Sequence, residues 1–552
     1  MMLLGVYSLA ALYLVCATLI MAMSPQRYLV NLAWLNLLTS AAALALAGLT
    51  TGIFINYDFY VEDFWTATEA LNKARYGLLS SVDFYSPIGP FYYYVYGFMT
   101  YIDSTPTAST VMHAGALVAF LGIVLSVAML WKHVSFLGLS IVLLSVVSVA
   151  VSGRGNGELL HQVALHFLAP YNRWAWALLI PVALRLSLPH KADPVGDIAL
   201  GIAIALLLMI KVTYGAAALG LVVVRAVLIP PSWREILVLA AALVLVLGVV
   251  EFTTGQVTAH LRDLATTALL PESGLRPRKL FDQMGEMALF SLVGIVAYLA
   301  TVETLPTQPR RPGAVWAFLR PIILMLAVAV SGNLVLMQNH YLTEAAVYPL
   351  LTLIVLEWTG ALRRTTAHIV PTGFRRRVLI TSATLFIVFY PVVDVGMHVG
   401  QRLQYRLNPP EPGFAGTPYA DLKFEPYIVR NENSRLNTIP EGRSGVLAGL
   451  DMLRSAGAED ASRGTVATIA FSNPFPMLLG QSSPVGTPIW LAQGRTYSEE
   501  IYVSPDDFFR GVEFVLVTSE SLSLKKIYRD TLASEFNEYS SNEYWTLFVR
   551  RK

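Results

Sequence analysis

The sequence predicts a polytopic α-helical membrane protein with about 12 transmembrane helices and a soluble α/β domain at its C-terminal end. Of its 552 residues, 55% are hydrophobic and 14% are charged, whereas about a quarter of the residues are charged in a typical soluble domain. Apolar runs of about 20 residues recur along most of the chain, and each is long enough to cross a hydrocarbon core of about 30 Å. After Gly400 the hydropathy falls, and strand-like and helix-like patterns alternate.

The apolar segments are the candidates for membrane spans. They lie at about 3–23, 30–55, 108–130, 135–152, 173–188, 197–211, 214–230, 235–253, 286–303, 319–337, 342–360 and 378–399. The first basic residue, Arg27, follows the first segment, whereas a secretory signal peptide has a positive region before its apolar run. We therefore expect an uncleaved first helix whose N-terminus lies outside the cytoplasm.

The distribution of charged residues predicts which loops face the cytoplasm. Alternate loops are basic, and their cations are Arg27, Lys132, Arg185, Lys191, Arg225, Arg234, Arg310, Arg311, Arg363, Arg364, Arg375, Arg376 and Arg377. The opposite loops are acidic, and their carboxylates are Asp58, Glu62, Asp63, Glu69, Asp83, Asp103, Glu158, Asp263, Glu272 and Glu344. We expect the acidic loops, including a first outer loop at about 57–107, and both chain ends to lie outside the cytoplasm.

Residues 1–400 are predicted to form the membrane part, and residues 401–552 a soluble domain that is long enough for its own core. Within the second region, TVATIAFSN, TPIWLAQG, VEFVLVTS and YWTLFVRR have strand-like patterns. SGVLAGLDMLRSAG and SLKKIYRDTLASEFNEY have amphipathic helical patterns. This alternation is typical of a small α/β domain, and the predicted orientation puts it on the outer face.

The residue inventory excludes some kinds of site and indicates no metal site. A single cysteine, Cys16, excludes an internal disulfide and any cysteine-based zinc site, and the sequence contains no Walker sequence. The loop SGRGNGELLHQVALHF holds Glu158 and His161 one helical turn apart, but His166 diverges from them. We interpret this loop as polar lining of an outward cavity.

The first outer loop contains a predicted helix from about Glu62 to Arg75. Its polar residues at i, i+4, i+7 and i+11 are Glu62, Thr66, Glu69 and Lys73. Asp63 lies on a neighbouring stripe whose other members are alanines. We therefore expect Glu62 and Glu69 on a solvated face and Asp63 against protein, where a carboxylate needs a partner or a purpose. The structural alternative is an Asp63 that caps or pins this loop.

After this helix, VDFYSPIGP places Asp83 before a Ser-Pro and Gly-Pro turn. An acidic residue, a short amphipathic helix, a small-residue turn, Asp-aromatic and then Gly-Pro together resemble the first extracytoplasmic loop of GT-C glycosyltransferases. These include protein mannosyltransferases and lipid A aminoarabinose transferases. The resemblance implies that a carboxylate of this loop is the catalytic base. The order Glu62-Asp63 is reversed from the common pair, so Asp58, Glu62 and Asp63 all stay candidates, with Asp63 favoured. Asp83 would orient the acceptor or support the base.

Basic residues in other predicted outer loops extend the resemblance. In LLLMIKVTYG, Lys211 lies where related transferases have a Lys-aromatic-Gly turn that meets a lipid-linked phosphate. An ammonium suits that role, but snorkelling to the interface is an equal alternative. In APYNRWAW, Arg173 begins the fifth span, and its alternative is an interfacial anchor together with Trp174 and Trp176. The remaining candidate phosphate-binding residues are Arg154, Arg262 and His340.

The aromatic residues of FYYYVYG follow the Gly-Pro turn directly. Rings are common at membrane interfaces, so we expect these to form an interfacial belt. Stacking against a sugar is the alternative.

The resemblance implies an inverting glycosyltransferase that moves a sugar from a polyprenyl-phosphate-linked donor to a lipid, glycan or protein acceptor of the cell envelope. Nucleotide sugars are not available outside the cytoplasm, so a lipid-linked donor fits the predicted orientation. We expect a bacterial cytoplasmic membrane, with the site and the C-terminal domain on the periplasmic side. Family members differ in metal dependence, which leaves a divalent metal open as cofactor. No nucleic-acid partner is expected.

Two other functions are consistent with a membrane protein of this composition. A transporter or lipid-linked sugar flippase often carries charges near the midplane and has repeated halves, whereas here the predicted spans hold few charges and acids concentrate in outer loops. A non-catalytic scaffold for the C-terminal domain would leave Asp63 and Lys211 without a purpose. The sequence therefore favours the transferase.

Overall fold

A computed structural model describes most of the chain. The described residues are 28–49, 54–55, 61–151, 169–189, 193–274, 277–301, 312–338, 346–362, 374–407, 417–418, 427–428, 439–518 and 522–552. The predicted span at 3–23 and the candidate site residues Asp58, Arg154 and His340 lie outside these ranges, as does the loop that contains Glu158.

Helices build the predicted membrane part. In chain order they are α1 (Tyr28–Leu49), α2 (Val61–Arg75), α3 (Pro90–Ile102), α4 (Ala108–Leu130), α5 (Phe136–Val151), α6 (Pro170–Ser187), α7 (Pro194–Ile210), α8 (Val212–Leu228), α9 (Trp233–Thr254), α10 (Gln256–Ala268), α11 (Pro277–Thr301), α12 (Pro312–Met337), α13 (Tyr348–Trp358) and α14 (Phe374–Leu407). Each predicted span after the first coincides with one of these helices, so their helical character is confirmed.

Several of these helices are apolar enough to cross a membrane. Among the described residues, five qualify by length and composition, and they cover Val30–Ala47, Ala108–Leu130, Trp233–Thr254, Val315–Met337 and Val378–Gly396. Shorter apolar helices are Phe136–Val151, Pro194–Ile210, Val212–Leu228, Met287–Thr301 and Tyr348–Trp358. The described chain is thus mostly helical with several candidate spans. The number of 12 spans and the sidedness of the loops stay predictions.

Helix α6 lies at the centre of this helical part. Nearly all of its residues are buried, and it packs against α4, α5, α7 and α8. Trp174 and Trp176 are buried, so the alternative that they anchor Arg173 at a membrane interface is wrong. Near the other end of the helix, Arg185 Nη2 donates a hydrogen bond to Asp197 Oδ1 at 2.9 Å, which neutralises a buried cation.

The first outer loop packs on the ends of these helices through the turn between α2 and α3. The Gly89 N–H donates a hydrogen bond to the Ile210 carbonyl oxygen at 2.9 Å. A Cβ atom on Gly89 would lie 2.0 Å from the Met209 carbonyl oxygen, so only glycine fits this contact. The loop is therefore joined directly to the residues that precede Lys211.

The last part of the chain is a small α/β unit. Its elements are α15 (Arg443–Ser455), β3 (Thr465–Ile469), α16 (Phe475–Leu478), α17 (Pro505–Phe508), β4 (Val512–Thr518), α18 (Leu522–Ile527), α19 (Arg529–Glu535), β5 (Phe536–Ser541) and β6 (Trp545–Arg550). The strand order is β3-β4-β6-β5, with β3 and β4 parallel and the other pairs antiparallel. Alternate residues of β4 face different cores: Phe514 and Leu516 join the large core, and Val515 and Val517 the smaller one.

Two connections join this unit to the first outer loop. Ahead of α2, the short strand β1 (Phe54–Ile55) pairs in parallel with β2 (Tyr427–Ile428). The long crossover between β3 and β4 contains α16, which packs against α2. The C-terminal unit is therefore packed onto the helix that carries Asp63.

Two expectations for this unit are wrong. TPIWLAQG is not a strand, because its backbone bonds irregularly: the Leu491 N–H donates to the Phe471 oxygen at 2.8 Å, and the Gly494 N–H to the Tyr497 oxygen at 2.7 Å. The helix predicted over SLKKIYRDTLASEFNEY ends at Glu535, and the residues that follow pair with β6. A sequence pattern could not show that β6 offers them a free edge.

Candidate active site

Helix α2 carries the favoured candidate base and is enclosed by protein. Its buried residues are Val61, Phe64, Trp65, Thr66, Ala67, Thr68, Glu69, Ala70, Leu71, Asn72 and Lys73. Trp65 Nε1 donates a hydrogen bond to the Glu441 carbonyl oxygen at 2.9 Å. Asn72 Nδ2 donates to the Gln481 carbonyl oxygen at 2.9 Å. The C-terminal unit therefore covers a large part of α2.

The expectation of a solvated face with Glu69 and Lys73 is wrong. Both side chains are fully buried, and Lys73 Nζ lies 3.6 Å from Glu69 Oε1. Ser483 Oγ donates to Glu69 Oε2 at 2.8 Å, and Lys73 Nζ donates to the Pro484 carbonyl oxygen at 2.6 Å. Burial raises the pKa of Glu69 and lowers the pKa of Lys73 to about 8, against the attraction of Glu69. The pair is a closed structural contact because residues 483–484 cover it.

Asp63 differs from Glu69 in that part of its surface stays exposed. Removal of water by the surrounding protein raises its pKa to about 7, while Arg495, the Ala169 N–H and Arg173 each act to lower it. The carboxylate therefore exchanges its proton close to neutral pH. This suits a general base, whose pKa is best placed near the working pH.

The N–H that donates to Asp63 belongs to Ala169, whose backbone conformation is unusual. Ala169 has φ +38°, a left-handed conformation that costs a non-glycine residue about 1–2 kcal/mol. It stands immediately before Pro170, the first residue of α6. Such conformations persist only where the surroundings hold them. Here the N–H of Ala169 donates to the candidate base.

The first turn of α6 adds positive charge beside Asp63. Arg173 is buried, and its guanidinium lies within electrostatic range of Tyr96, Asp63 and Tyr92. Tyr171 is also within range of Asp63. The N-terminal end of a helix carries partial positive charge and N–H groups without partners within the helix. An anion that entered this region would therefore be attracted both by Arg173 and by the helix end.

Lys211 lies against the same turn. It stands in extended conformation between α7 and α8. Its Nζ donates a hydrogen bond to Asn172 Oδ1 at 3.0 Å and lies 5.5 Å from the centre of the Tyr171 ring. The structure thus brings together two residues that the sequence proposed separately as phosphate ligands, Arg173 and Lys211.

The C-terminal unit supplies residues to this region that the sequence did not indicate. The Trp490 ring stacks on the Tyr171 ring, with centroids 6.2 Å apart and planes 19° apart. Arg495 acts on Asp63 electrostatically, and its Nε donates to Glu272 Oε2 at 3.4 Å. Trp490 lies within the run TPIWLAQG and Arg495 directly after it. Neither gives a local signal of a site, because their neighbours come from distant parts of the chain.

Three of the five rings of FYYYVYG are buried in the protein, so the expected interfacial belt is wrong for these three. Tyr92, Tyr93 and Tyr96 are buried. The Tyr92 ring lies 5.3 Å from the Trp174 ring and 5.8 Å from the Tyr171 ring, measured between centroids. Such contacts stabilise beyond simple burial. These rings are therefore the support under the first turn of α6.

The other candidate site residues have different surroundings. Asp83 accepts a hydrogen bond from the Leu79 N–H at 2.6 Å, which closes the turn after α2. Glu62 is partly exposed beside Asp63, and Arg262 is exposed on α10, where its charge acts on Asp263. Asp83 thus bonds to the backbone, and Arg262 interacts with a residue of its own helix. The roles proposed for both stay predictions.

A cluster of buried polar side chains lies where α10 packs on the turn between α2 and α3. Asp263 Oδ2 accepts a hydrogen bond from the Ser86 N–H at 2.8 Å, and burial raises the pKa of Asp263 to about 6. Burial also lowers the pKa of His260 to about 4. Ser86 Oγ lies 2.8 Å from the Tyr93 hydroxyl. This group fixes the turn that leads to Gly89.

The chain is similar to solved structures of two proteins. It is 12% identical to ArnT from Cupriavidus metallidurans bound to undecaprenyl phosphate, with a TM-score of 0.44 and coverage of 93% of this chain and 97% of that chain. It is 11% identical to the oligosaccharyltransferase AglB from Archaeoglobus fulgidus in complex with an inhibitory peptide and a dolichol-phosphate, with a TM-score of 0.33 and coverage of 94% and 74%. Both are GT-C family members.

No family model matches the chain, and no curated protein does. At TM-scores below 0.5 the similarities carry no argument about the site of this chain. Its chemistry rests on its own residues.

Proposed function

We propose that the chain is an inverting glycosyltransferase that uses a polyprenyl-phosphate-linked sugar. The observation that carries the proposal is that Asp63, a partly exposed carboxylate, and Lys211 each lie against the first turn of α6, which carries Arg173. One group is suited to accept a proton, and the others are suited to hold an anion. A displacement at a phosphate-linked carbon needs both.

The charges of the site favour an anionic substrate. The carboxylates of the region are Asp63, its neighbour Glu62 and Glu272, which accepts a hydrogen bond from Arg495. Arg173 and Lys211 are the cations at the first turn of α6, and a phosphodiester would meet them there. A lysine and a buried arginine bind phosphate through charge-assisted hydrogen bonds, and these strengthen as the phosphate gains charge on leaving.

The reaction would proceed in one displacement. The acceptor hydroxyl gives its proton to a carboxylate oxygen of Asp63, and the acceptor oxygen forms a bond to the anomeric carbon. The bond from that carbon to the phosphate oxygen breaks, and its electron pair stays on the phosphate, which Lys211 and Arg173 hold. Attack opposite the leaving group inverts the anomeric configuration. General base assistance of this kind contributes about 10²–10⁴-fold.

The proposed location follows from the predicted orientation. The site lies on a loop that is expected to face away from the cytoplasm, in a bacterial cytoplasmic membrane. A lipid-linked donor would reach the site from the bilayer. The acceptor would be a lipid, a glycan or a protein of the cell envelope, and its hydroxyl would approach Asp63 beside the stacked rings of Tyr171 and Trp490.

The test is the variant Asp63→Asn in membranes supplied with radiolabelled polyprenyl-phosphate sugars. We expect transfer into the lipid, glycan and protein fractions to fall by about 10²-fold or more, while the chain is made in the same amount and still unfolds in a cooperative transition. Asp506→Asn is the matched control, since Asp506 is an exposed carboxylate of the C-terminal unit. Transfer at the wild-type rate by Asp63→Asn would overturn the proposal.

The second test concerns the donor. Lys211→Ala should raise the concentration of polyprenyl-phosphate sugar needed for half-maximal transfer, because an ammonium would be missing at the phosphate. Lys526→Ala, at an exposed lysine of the C-terminal unit, is the control. An unchanged donor dependence would favour simple snorkelling of Lys211. Movement of the donor across vesicles without transfer would favour a flippase.

A further inference from the structure

The crossover between β3 and β4 sends one segment, residues 488–498, back to the membrane part. Trp490 lies on Tyr171 of α6 with nearly parallel rings. The neighbouring Leu491 N–H donates to the Phe471 carbonyl oxygen at 2.8 Å, which holds the segment to the end of β3. The segment is thus fixed to the sheet at one side and to α6 at the other.

Arg495 is held in place by the loop that follows α10. The Glu272 N–H donates to the Gly494 carbonyl oxygen at 2.9 Å, and Arg495 Nε donates to Glu272 Oε2 at 3.4 Å. Gly494 has φ +79°, and a Cβ atom there would lie 2.7 Å from Glu272 Cγ. A residue other than glycine would push Glu272 away. Gly494 therefore permits the hydrogen bond between Glu272 and Arg495.

We propose that Arg495 is a positioning residue of the transfer reaction: held by Glu272, its guanidinium supplies from the C-terminal unit a counter-charge that favours the ionised form of Asp63. This inference rests on the proposed function. It assigns the C-terminal unit a part in the chemistry, in addition to covering α2. Arg495 acts through Asp63 and not on the sugar.

The groups that face Asp63 come from three elements. Arg495 comes from the C-terminal segment, and Arg173 and the Tyr171 hydroxyl come from α6. Glu62 is its neighbour on α2. Of the two cations, Arg495 opposes the rise in the pKa of Asp63 more strongly than Arg173 does. Loss of the Arg495 charge should therefore raise this pKa further, so that Asp63 holds its proton at a higher pH.

The test compares the pH dependence of kcat/KM in Arg495→Gln and Arg495→Met with that of the wild-type chain. The probes are undecaprenyl-phosphate-linked sugars, with release of undecaprenyl phosphate as readout. We expect the acidic limb of the profile to move up by about one pH unit, the low end of the effect of a nearby cation. The loss of rate would then be roughly tenfold larger on the acidic side of the limb than on the alkaline side.

Two further variants separate this role from a structural one. Arg495→Lys keeps the charge and should return the limb to nearly its wild-type position. Arg510→Gln removes another arginine of the C-terminal unit, exposed and paired with Asp507, and should leave the limb unchanged. Equal losses of rate at every pH in Arg495→Gln, or the same shift in Arg510→Gln, would overturn the proposal.

A measurement without turnover distinguishes this inference from the proposed function. The thermal unfolding of Asp63→Asn, Arg495→Gln and the double variant is followed from pH 5 to pH 8. If Arg495 acts on Asp63, Arg495→Gln changes the pH dependence of unfolding only while Asp63 is present. An active Asp63→Asn would overturn the transferase mechanism, whereas an inactive Asp63→Asn without coupling to Arg495 would overturn only the present inference.

Discussion

Helix α2 carries two carboxylates in opposite situations. Glu69 is fully buried, lies 3.6 Å from Lys73 Nζ and accepts a hydrogen bond from Ser483. Asp63 keeps part of its surface exposed, accepts a bond from a backbone N–H, and has two arginines in range. Glu69 is closed against further partners, whereas Asp63 can still meet one. The more deeply buried acid is therefore the structural one, and the more exposed acid is the candidate base.

The largest expected effect on stability comes from opening the closed pair. Glu69→Ala leaves the Lys73 ammonium buried without its partner, and breaking a buried pair in this way costs about 3–5 kcal/mol. Thermal unfolding and protease resistance of the full chain measure the loss. The double variant Glu69→Ala/Lys73→Met removes both charges and should recover most of the stability. If Glu69→Ala were as stable as the wild type, the comparison between the two acids would fail.

A smaller effect should follow from disturbing the contact that places the loop beside Lys211. A methyl group on Gly89 would lie 2.0 Å from the Met209 carbonyl oxygen, and overpacking of this kind costs about 1–3 kcal/mol. Gly89→Ala should therefore lower both the unfolding temperature and the rate of transfer. Gly97→Ala is the control, since a methyl group there meets Ala74 at an ordinary 3.8 Å. Equal behaviour of the two variants would contradict the tight contact.

The third prediction uses the raised pKa of Asp63. Between about pH 4 and pH 7 the folded chain keeps a proton on Asp63 that the unfolded chain has lost, so this group contributes stability at low pH that is lost as the pH rises to 7. Asp63→Asn removes that dependence. Its unfolding temperature relative to the wild type should be higher at pH 8 than at pH 5. A difference that does not change with pH would mean that Asp63 ionises normally.

The smallest effect concerns Ala169, whose N–H donates to Asp63. Ala169→Gly relieves a left-handed conformation, φ +38°, that glycine adopts freely, and should stabilise the fold by up to about 1 kcal/mol. The Ala169 N–H stays available, so the acidic limb of the rate profile should not move. Ala169→Val is the opposite control, because a β-branched side chain fits this conformation poorly. Greater stability of the valine variant would contradict the strain.

Local patterns predicted the helices from the sequence, and they also indicated candidate site residues that the fold places close together. The helix proposed from Glu62 to Arg75 coincides with α2, and each predicted span after the first coincides with a helix. Lys211 and Arg173 were proposed from separate segments, and both stand at helix ends that meet. The helix predictions are confirmed because hydrophobic runs and turn residues act over a few neighbours, whereas the phosphate-binding roles of Lys211 and Arg173 stay predictions.

The failures share one physical cause, which is contact between distant segments. The stripe of Glu62, Thr66, Glu69 and Lys73 is typical of a wet helix face, and nothing near it in sequence indicates residues 483–484. The rings of FYYYVYG are typical of an interface, but Tyr92 packs on Trp174. Trp490 lies within the run TPIWLAQG and Arg495 directly after it, and this run forms no strand. Each error concerns what covers a segment, which only the fold decides.

The contact between Ser483 and Glu69 spans 414 residues of sequence. Chains are synthesised at about 5–20 residues per second, so the first outer loop would wait roughly 20–80 s for the segment that covers it. During that interval Glu69 and Lys73 have each other but no cover, and Asp63 has no Arg495. The nascent protein is therefore not yet an enzyme under this proposal. A cell that makes it acquires activity only when the last fifth of the chain has folded back onto the first.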